Sequence, residues 1–348
     1  MSTLVTPHIL VIRLSAMGDV AMTIPVLRAL TQQYPHIKLT VVSRPFFKPL
    51  FDSIPNIQFF AVDLKSKHRG FFGLLQLFLD LKKLHITHVA DLHNVLRSKV
   101  IRNLLAITNI KIAATNKGRA EKKALTRAEN KIFKPLKTMF ERYIETFNQL
   151  GFPIDLKNPD FAKKSILCKE ISDLILNRKE TNLIGIAPFA QYQSKVYPKD
   201  LMQEVIDALA GNPENTILLF GGGNQEIAAL KEFKKEYENV IVIAGALKFA
   251  LELDLISNLK AMLSMDSGNA HIAAMFGVPV ITLWGATHPF AGFAPFNQPL
   301  ENAIVSDNIQ YPKLPTSVYG NKKVLGYDDV MRTIKPEIIL QKIHQIIT

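Results

Sequence analysis

The sequence predicts an α/β protein with two halves, each a doubly wound and mainly parallel sheet. Short apolar runs alternate with helix-like segments along most of the chain, which is the pattern of repeated βαβ units. The alternation breaks once, at residues 151–159, where Gly151, Pro153 and Pro159 lie close together, and then restarts. A length of 348 residues suits two domains.

Composition restricts the kind of protein. Hydrophobic residues make up 48% and charged residues 21%, which excludes a disordered, collagenous or coiled-coil chain. The one cysteine, Cys168, gives neither a disulfide framework nor a cysteine zinc site. Lys and Arg number 42 against 30 Asp and Glu, and the net charge of +12 favours anionic partners such as nucleic acid, phosphorylated substrates or an anionic membrane face.

The sequence gives no sign of membrane insertion or export. No apolar run reaches the roughly 18–20 residues that span a bilayer. Residues 1–7 show no basic region followed by an apolar one, as a signal peptide would. We therefore expect a cytoplasmic protein.

The first half is predicted to hold five strands. An apolar run at residues 8–14 leads into a small-residue turn at 15–19 and a helix at 20–34. The other predicted strands here are residues 38–43, 58–62, 88–92 and 111–114, and the other predicted helices are 70–84 and 95–106.

The second half repeats this alternation. We predict domains at residues 1–157 and 158–330, with a final helix at 331–348 that returns toward the first domain. Doubly wound sheets bind ligands beyond the carboxyl ends of their strands, so the expected site is a cleft between the halves. The predicted strands are 182–187, 216–220, 240–244, 261–265 and 280–283, and the predicted helices are 199–210, 224–237, 251–258, 270–276 and 335–347.

The turn after the first predicted strand places a carboxylate at a helix start. Residues 13–19 (RLSAMGD) run from the strand through small residues to Asp19. A helix N-terminus stabilises a carboxylate and presents backbone N–H groups to a ligand. Asp19 is therefore either a functional acid or only a capping acid. The GxGxxG fingerprint of dinucleotide binding is absent from this turn.

A second strand-to-helix turn is typical of a pyrophosphate cradle. Residues 265–271 (MDSGNAH) pass from an apolar strand into a helix rich in small residues, whose N–H groups point at whatever lies in the cleft. The alternative is an ordinary turn capped by Asp266 or Ser267, with a structural His271.

Two other turns carry candidate ligand-binding groups. Gly221, Gly222 and Gly223 end a predicted strand, and Glu226 follows at a position where an acid commonly takes ribose hydroxyls. A flexible loop is the alternative there. Lys195 follows the strand at 182–187 and suits a phosphate, unless it is a solvated surface lysine.

Two segments of the first half are basic or apolar. Residues 117–137 hold eight Lys or Arg and form either a solvated face or a surface for an anionic acceptor, and Arg97 follows the strand at 88–92. The apolar helix at 70–79, flanked by lysines and Arg69, either packs on the sheet or lies on a membrane surface.

Taken together, these segments resemble glycosyltransferase family 9, the ADP-heptose:lipopolysaccharide heptosyltransferases, over nearly the whole chain. Residues 13–19 match the family's R-x-S-x-x-G-D segment, and residues 91–98 (DLHNVLRS) resemble its D-x-x-x-x-x-R-S segment. Residues 194–198 (SKVYP) resemble its K-x-W-P segment, with Tyr197 in place of tryptophan. Residues 266–274 and 285–289 match its D-S/T-G-x-x-H-x-A-A and G-x-T-x-P segments. Residues 308–325 are poorly patterned and are assigned no role.

The resemblance implies a GT-B fold, in which two Rossmann-like doubly wound domains face a central cleft. The N-terminal domain would take the acceptor and the C-terminal domain the nucleotide sugar. Transfer would be inverting and metal-independent, with Asp19 as the catalytic base that takes the proton of the acceptor hydroxyl. No metal site and no cofactor are expected, because the ADP-sugar is a substrate.

The resemblance also implies how the remaining residues divide between donor and acceptor. Donor diphosphate binding falls to Lys195, Ser267, Gly268, Asn269 and His271. Donor nucleotide or sugar binding falls to Glu226, Asp266, Gly222 and Thr287. Acceptor binding falls to Ser15, Met17, Gly18, Arg97, Arg119 and Lys122.

The implied function is transfer of heptose from ADP-heptose to the inner core of lipopolysaccharide, a lipid-linked acceptor with acidic sugars. The expected partners are the nucleotide sugar, this anionic acceptor and the cytoplasmic membrane face, touched peripherally, with no nucleic acid. One alternative is a GT-B enzyme with another nucleotide sugar, such as another transferase or an epimerase. Another is a non-catalytic nucleic-acid or membrane-binding protein, although the basic stretch lacks interleaved aromatics and no helix-turn-helix is visible.

Overall fold

Two parallel sheets organise the chain. The structure is a computed structural model that describes residues 6–176, 178 and 181–348. The residues outside these ranges fall within the two predicted domains, and residues 1–5 also within the segment searched for a signal peptide; no predicted strand, helix or site residue lies among them. The elements as far as Leu150 are β1 (His8–Ile12), α1 (Met17–Ala21), α2 (Ile24–Gln33), β2 (Lys38–Ser43), β3 (Ile57–Ala61), α3 (Gly70–Lys82), β4 (His88–Asp91), α4 (Leu96–Ala106), β5 (Lys111–Ala114), α5 (Arg119–Thr126) and α6 (Met139–Leu150).

The first sheet has the strand order β3-β2-β1-β4-β5, and every neighbouring pair is parallel. Its central strand β1 is fully buried, because helices cover both faces of a parallel sheet. Leu10, Ile12 and Val89 pack against Leu77 of α3 and Ile101 of α4 in one core cluster.

One predicted helix of this unit is divided in two. The sequence predicted a helix over residues 20–34, whereas α1 ends at Ala21 and α2 begins at Ile24. Pro25 stands in the first turn of α2. Proline has no backbone N–H to continue a helix from the residues before it but is well suited to a first turn, so the helix restarts here.

The second sheet has six parallel strands in the order β11-β10-β9-β6-β7-β8. Its β6 and β9 lie side by side at the centre, where the direction of winding reverses, as in a Rossmann sheet. The elements are α7 (Lys169–Leu174), β6 (Asn182–Ala187), α8 (Lys199–Ala210), β7 (Asn215–Leu219), α9 (Asn224–Lys234), β8 (Val240–Val242), α10 (Phe249–Ile256), β9 (Ala261–Met265), α11 (Gly268–Met275), β10 (Val280–Trp284), β11 (Ala303–Val305) and α12 (Pro336–Ile347).

The prediction of two doubly wound, Rossmann-like halves is confirmed. All ten predicted strands are present within one or two residues of their predicted ends. The short edge strand β11 was not predicted, because its apolar run of Ala303–Val305 is only three residues long.

The chain divides into two compact units. The first is the chain up to Lys117 together with Met139–Ala162, and the second is Gly118–Thr138 together with Lys163–Thr348. The basic segment Gly118–Thr138 thus belongs to the second unit, although the sequence boundary at residue 157 assigned it to the first.

The last helix has its packing partners in the second unit. The sequence expected the segment 331–348 to return toward the first domain. In the structure, Ile339 and Ile343 of α12 lie in one core cluster with Val205 of α8 and Ile281 of β10.

Across the described ranges, no helix combines the length and apolar character needed to cross a bilayer.

Candidate active site

Asp19 lies in the first turn of α1, directly after the carboxyl end of β1. Its Oδ2 atom is 2.5 Å from Nη2 of Arg13 and accepts a hydrogen bond from the amide of Ala16 at 3.4 Å. Its Oδ1 atom accepts no hydrogen bond from the part of the chain that the structure describes. The side chain is 29% exposed, so one carboxylate oxygen is fixed while the other is open to a ligand.

Arg13 holds this carboxylate from inside the unit. The guanidinium is 4% exposed and donates from Nη1 to the carbonyl of Leu92 at 2.7 Å. Burial by itself disfavours the charge, but the interactions with Tyr143 and Asp19 outweigh it and raise the pKa of Arg13. A buried cation of this kind restricts the carboxylate to one position.

Ser15, Met17 and Gly18 surround Asp19 in the same turn and are all half-buried. The hydroxyl of Ser15 lies 3.4 Å from Nε2 of His93. Burial, assisted by the charge of Arg13, lowers the pKa of His93 to about 3. His93 is therefore neutral at physiological pH and adds no charge beside Asp19.

The turn after β4 carries a buried aspartate and an exposed arginine that differ in their surroundings. Asp91 is fully buried, accepts from the amides of His93 and Asn94, and pairs with Arg102 at 3.0 Å. Arg97 is exposed in the first turn of α4 and has no ion-pair partner among the described residues. The predicted acceptor residue Arg97 is thus free to meet an anion, whereas Asp91 shapes the turn.

Arg119 and Lys122 occupy α5 in the second unit. Arg119 is exposed. Lys122 is 3% exposed, and its Nζ atom lies 4.0 Å from the centre of the Phe293 ring, a cation–π contact. A cavity of about 240 Å³ lies beside them, and its lining includes Lys123, Tyr319 and Lys322. Part of the basic stretch is therefore packed rather than solvated.

The donor half of the predicted site centres on Lys195, in the turn after β6. Its Nζ atom donates to the carbonyl of Asp266 at 2.6 Å and lies 3.2 Å from Oδ2 of the same residue. Thr287, in the turn after β10, donates to that carboxylate oxygen at 2.9 Å. These three predicted residues follow neighbouring strands at the winding reversal, where a Rossmann sheet binds its ligand.

The loop at residues 316–320, which the sequence left without a role, covers this lysine. The amides of Thr316 and Ser317 donate to the carbonyl of Ala286. The hydroxyl of Ser194 donates to the carbonyl of Gly320 at 2.6 Å. Gly320 has φ +86°, a backbone conformation that favours glycine. A Cβ at this position would also lie 2.7 Å from Cγ of Lys195, which is too close for an ordinary contact.

The predicted phosphate cradle forms the start of α11. Ser267 is the N-cap residue, Gly268 and Asn269 follow in the first turn, and all three are half-buried. The hydroxyl of Ser267 lies 3.0 Å from that of Ser264. His271 is buried in the helix. The first-turn N–H groups of a helix lack intrahelical partners and suit an anion.

Glu226 and Gly222 meet in the turn after β7. The amide of Gly222 donates to Oε2 of Glu226 at 2.7 Å. Gly223, the N-cap residue of α9, has φ +80°. The half-buried carboxylate is therefore held by the loop that precedes it. Within the described residues, no hydrogen bond joins this pair to Lys195 or Asp266.

Tyr197, which replaces the tryptophan of the family pattern, is a core residue. It is 2% exposed, its hydroxyl donates to the carbonyl of Ile334 at 2.7 Å, and burial raises its pKa. Its buried position anchors the Lys195 turn on the core of the second unit.

In residues 6–176, 178 and 181–348, no three His, Cys, Asp or Glu side chains cluster as a metal site would require.

The comparisons with known proteins agree with this architecture. The sequence model of glycosyltransferase family 9 (heptosyltransferase) matches residues 74–323. Lipopolysaccharide heptosyltransferase 2 of Salmonella typhimurium is 26% identical, with 98% of each chain covered. A family 9 glycosyl transferase from Veillonella parvula has a TM-score of 0.73 at 20% identity, covering 98% of this chain and 97% of that one. Heptosyltransferase WaaC of E. coli, solved with ADP, has a TM-score of 0.66 at 19% identity over 97% of each.

The two parallel sheets and the likeness to solved family 9 structures show the GT-B fold. Because the family model covers well over half of its length, the chain belongs to glycosyltransferase family 9, the heptosyltransferases. The predicted family and fold class are thereby confirmed, and an enzyme is favoured over a non-catalytic binding protein. The roles of the individual site residues stay predictions.

Sequence reasoning missed two contributors to the site. Arg13 stood in the quoted motif without a role, because nothing in a sequence shows that its side chain turns inward to Asp19. Gly320 lies 36 positions after β10 ends at Trp284, in a segment without periodicity. A single glycine in such a segment gives no signal that it contacts Lys195.

Proposed function

We propose that this protein is an inverting glycosyltransferase that moves heptose from ADP-heptose to the inner core of lipopolysaccharide. The observation that carries the proposal is the Asp19 carboxylate, which has one oxygen fixed by Arg13 and the other open. Membership of family 9 supports the sugar and the acceptor class.

On the acceptor side, Asp19 acts as the general base. Its open Oδ1 atom accepts the proton of the acceptor hydroxyl as that oxygen attacks the anomeric carbon from the face opposite the leaving ADP. The bond from carbon to the acceptor oxygen forms, the bond to the diphosphate breaks, and the configuration inverts. General-base catalysis of this kind contributes about 10²–10⁴-fold in rate.

On the donor side, Lys195 and the first turn of α11 hold the diphosphate. Lys195 supplies a positive charge and is held by Asp266, whose carboxylate also accepts from Thr287. Ser267, Gly268 and Asn269 supply a helix N-terminus. His271 lies one turn further along the same helix. These groups oppose the negative charge that develops on the leaving ADP. Gly222 and Glu226 receive the nucleotide ribose.

We further propose that transfer requires no metal ion and no cofactor. The cationic and N–H groups just described offset diphosphate charge, which is the task that a divalent cation performs in other transferases. The ADP-sugar is consumed as a substrate. Transfer in the presence of a chelator should equal transfer without it.

Acceptor binding involves the Asp19 turn, Arg97 and Arg119. Ser15, Met17 and Gly18 surround the reacting hydroxyl, and the two arginines are exposed cations that suit the acid and phosphate groups of a lipopolysaccharide core. Lys122, on the same helix as Arg119, packs over the ring of Phe293. We place the enzyme at the cytoplasmic membrane face, bound peripherally, because the acceptor is lipid-linked.

The test is a transfer assay with ADP-heptose and a panel of lipopolysaccharide core acceptors, run on the wild type and Asp19→Asn. We expect acceptor-dependent ADP release that falls about 10²–10⁴-fold in the variant. Equal ADP affinity in both proteins would show that the donor half is intact. Equal transfer rates would remove Asp19 from the role of base.

Two other outcomes would change the proposal itself. Conversion of the nucleotide sugar without any acceptor would identify an epimerase. Neither turnover nor binding of ADP-heptose would mean that the donor is a different nucleotide sugar, to be sought among other nucleoside diphosphate sugars.

A further inference from the structure

Large apolar side chains stand exposed along one edge of the first sheet. Phe46 is 57% exposed after β2, Phe71 and Phe72 are 70% and 83% exposed after β3, and Leu96 is 79% exposed after β4. In a parallel sheet the residues that follow the strands share one edge, so these side chains lie on the edge that also carries Asp19. Single exposed apolar residues are common, but a cluster marks an interaction surface.

The exposed apolar side chains of helix α3 are not needed to fill the core. Its inner face is complete, because Leu74, Leu77 and Leu81 are buried against the sheet. Its outer face repeats Phe71, Leu75 and Leu79 at four-residue spacing, and all three are exposed. Phe72 continues this face, with its ring centre 5.9 Å from that of Phe71. We call these four residues the α3 outer face.

Basic residues flank the α3 outer face at both ends. Lys65, Lys67 and Arg69 precede the helix, and Lys82 and Lys83 end it. Asp80 pairs with Lys67 at 2.7 Å and with Lys83 at 3.6 Å. Lys65, Arg69 and Lys82 have no ion-pair partner in the described part of the chain, so the rim carries net positive charge.

A cavity lies between the Asp19 turn and the segment that leads into α3. It measures about 530 Å³, and its lining runs from Met17, in the helix of Asp19, through Phe46 and Phe47 to Leu64 and Lys65. Lys65 lies only five residues before α3 begins. An acceptor in this cavity would lie beside the Asp19 turn at one end and near the start of α3 at the other.

We propose that the α3 outer face binds the surface of an anionic phospholipid bilayer, with Phe71 and Phe72 inserted at the headgroup level. This inference rests on the proposed function, since it gives a lipid-linked acceptor its route to Asp19. Aromatic and aliphatic groups rimmed by lysine and arginine are the composition of interfacial membrane contacts. Charge argues against a second copy of the chain as occupant, because the same cations would face one another.

The test is sedimentation of the full chain with vesicles of phosphatidylglycerol and phosphatidylethanolamine, and with phosphatidylcholine vesicles. Wild type is compared with Phe71→Ser/Phe72→Ser and with Arg69→Glu. The matched control is Ile309→Ser/Leu325→Ser, which removes two apolar side chains that are 89% and 99% exposed in the second unit. We expect the double phenylalanine variant to bind anionic vesicles about tenfold more weakly and the control to bind as the wild type does.

The charge contribution is read from the same experiment. Arg69→Glu and high salt should each weaken binding to anionic vesicles, since both reduce attraction to the lipid charge. Binding that is unchanged in the phenylalanine variant, or absent in the wild type, would overturn the proposal. So would equal binding to phosphatidylcholine vesicles, or a self-association that the phenylalanine substitutions abolish while vesicle binding persists.

The two proposals fail in different assays. Transfer to a delipidated, water-soluble core oligosaccharide should be the same in wild type and Phe71→Ser/Phe72→Ser, whereas transfer to the acceptor in vesicles should fall in the variant. Loss of vesicle binding in the wild type overturns the membrane contact alone. Absence of transfer to every acceptor, with vesicle binding retained, overturns the proposed function alone.

Discussion

Asp19 offers one of its two carboxylate oxygens, because the other is already engaged by Arg13 and the Ala16 amide. A general base must lie within hydrogen-bond reach of one hydroxyl in one orientation. A free aspartate on a helix start would sample several rotamers. The buried guanidinium, itself fixed on the Leu92 carbonyl, removes that freedom. Arg13 is in this sense a positioning residue for the proposed base.

Replacing Arg13 should therefore impair turnover more than donor binding. We expect Arg13→Met to lower kcat by about 10–100-fold while the KM for ADP-heptose stays near its wild-type value, because Lys195 and α11 are unchanged. Arg13→Lys should recover part of kcat, since it restores a cation without the planar fork. Steady-state kinetics with both substrates varied measures this division.

Arg28 supplies the matched control for this substitution. It is also a buried arginine of the first unit, 7% exposed, with partners in Ser53 and Asp160 away from Asp19. Arg28→Met should lose thermal stability as Arg13→Met does but keep kcat. A parallel fall of kcat in both variants would mean that lost stability, and not the position of Asp19, explains the effect.

At the scale of elements, the sequence located those parts of the site that sit at the ends of regular strands. Apolar runs ending in small or charged residues located the turns of Asp19, Lys195 and Asp266, because strand periodicity and turn chemistry are local properties. The pairing of Lys195 with Asp266 could not be read from the chain, since they are 71 positions apart. It follows from the β6–β9 neighbour relation, which only the sheet order reveals.

The segments that sequence reasoning described least well are those without periodicity. The basic stretch was compatible with a solvated face, yet Lys131 donates to the carbonyls of Lys313 and Pro315, and burial lowers its pKa to about 8. The apolar helix at 70–79 packs on the sheet with one face, as one interpretation expected, and its other face is exposed; contact of that face with a membrane stays a proposal. Charge and hydropathy alone do not show which residues of a segment are buried against the rest of the protein.

The loop at 316–320 gives a test at this scale. Gly320→Ala introduces a Cβ 2.7 Å from the Lys195 side chain, so we expect the KM for ADP-heptose to rise by about tenfold with a smaller change in kcat. Gly326→Ala is the control. Its φ of +76° carries the same backbone strain, but nothing lies within 4 Å of the added carbon. Equal donor KM values in the two variants would show that the loop does not set the position of Lys195.

Across the whole molecule, four histidines that are buried or half-buried are held in the neutral form. Burial is the main cause that lowers the pKa of His8, His88, His93 and His288, to about 3 for His93 and about 4 for His288. Between the ordinary value of 6.5 and these lower values, the unfolded chain binds protons that the folded chain does not. Stability is therefore fully present above pH 6.5 and is lost as the pH falls through that range.

His93 gives the sharpest measurement of this acid sensitivity. Between about pH 7.5 and pH 5 we expect the wild type to lose about 2 kcal/mol more free energy of unfolding than His93→Gln does. Urea unfolding should be followed by circular dichroism, because the one tryptophan, Trp284, lies in the second unit. His36→Gln, at an exposed histidine of the first unit, should behave as the wild type. Identical pH dependence in all three proteins would contradict the expectation.

The membership of Gly118–Thr138 in the second unit bears on how this enzyme can be taken apart. A recombinant fragment that begins at the predicted boundary of residue 158 would contain every strand of the second sheet. It would lack Phe133, whose ring lies 5.1 Å from His288 and 5.2 Å from Phe290, and the Lys131 contacts with residues 313 and 315. The second unit is compact in space but interrupted along the sequence, so expressing it alone requires circular permutation or grafting of residues 118–138 onto the shorter fragment.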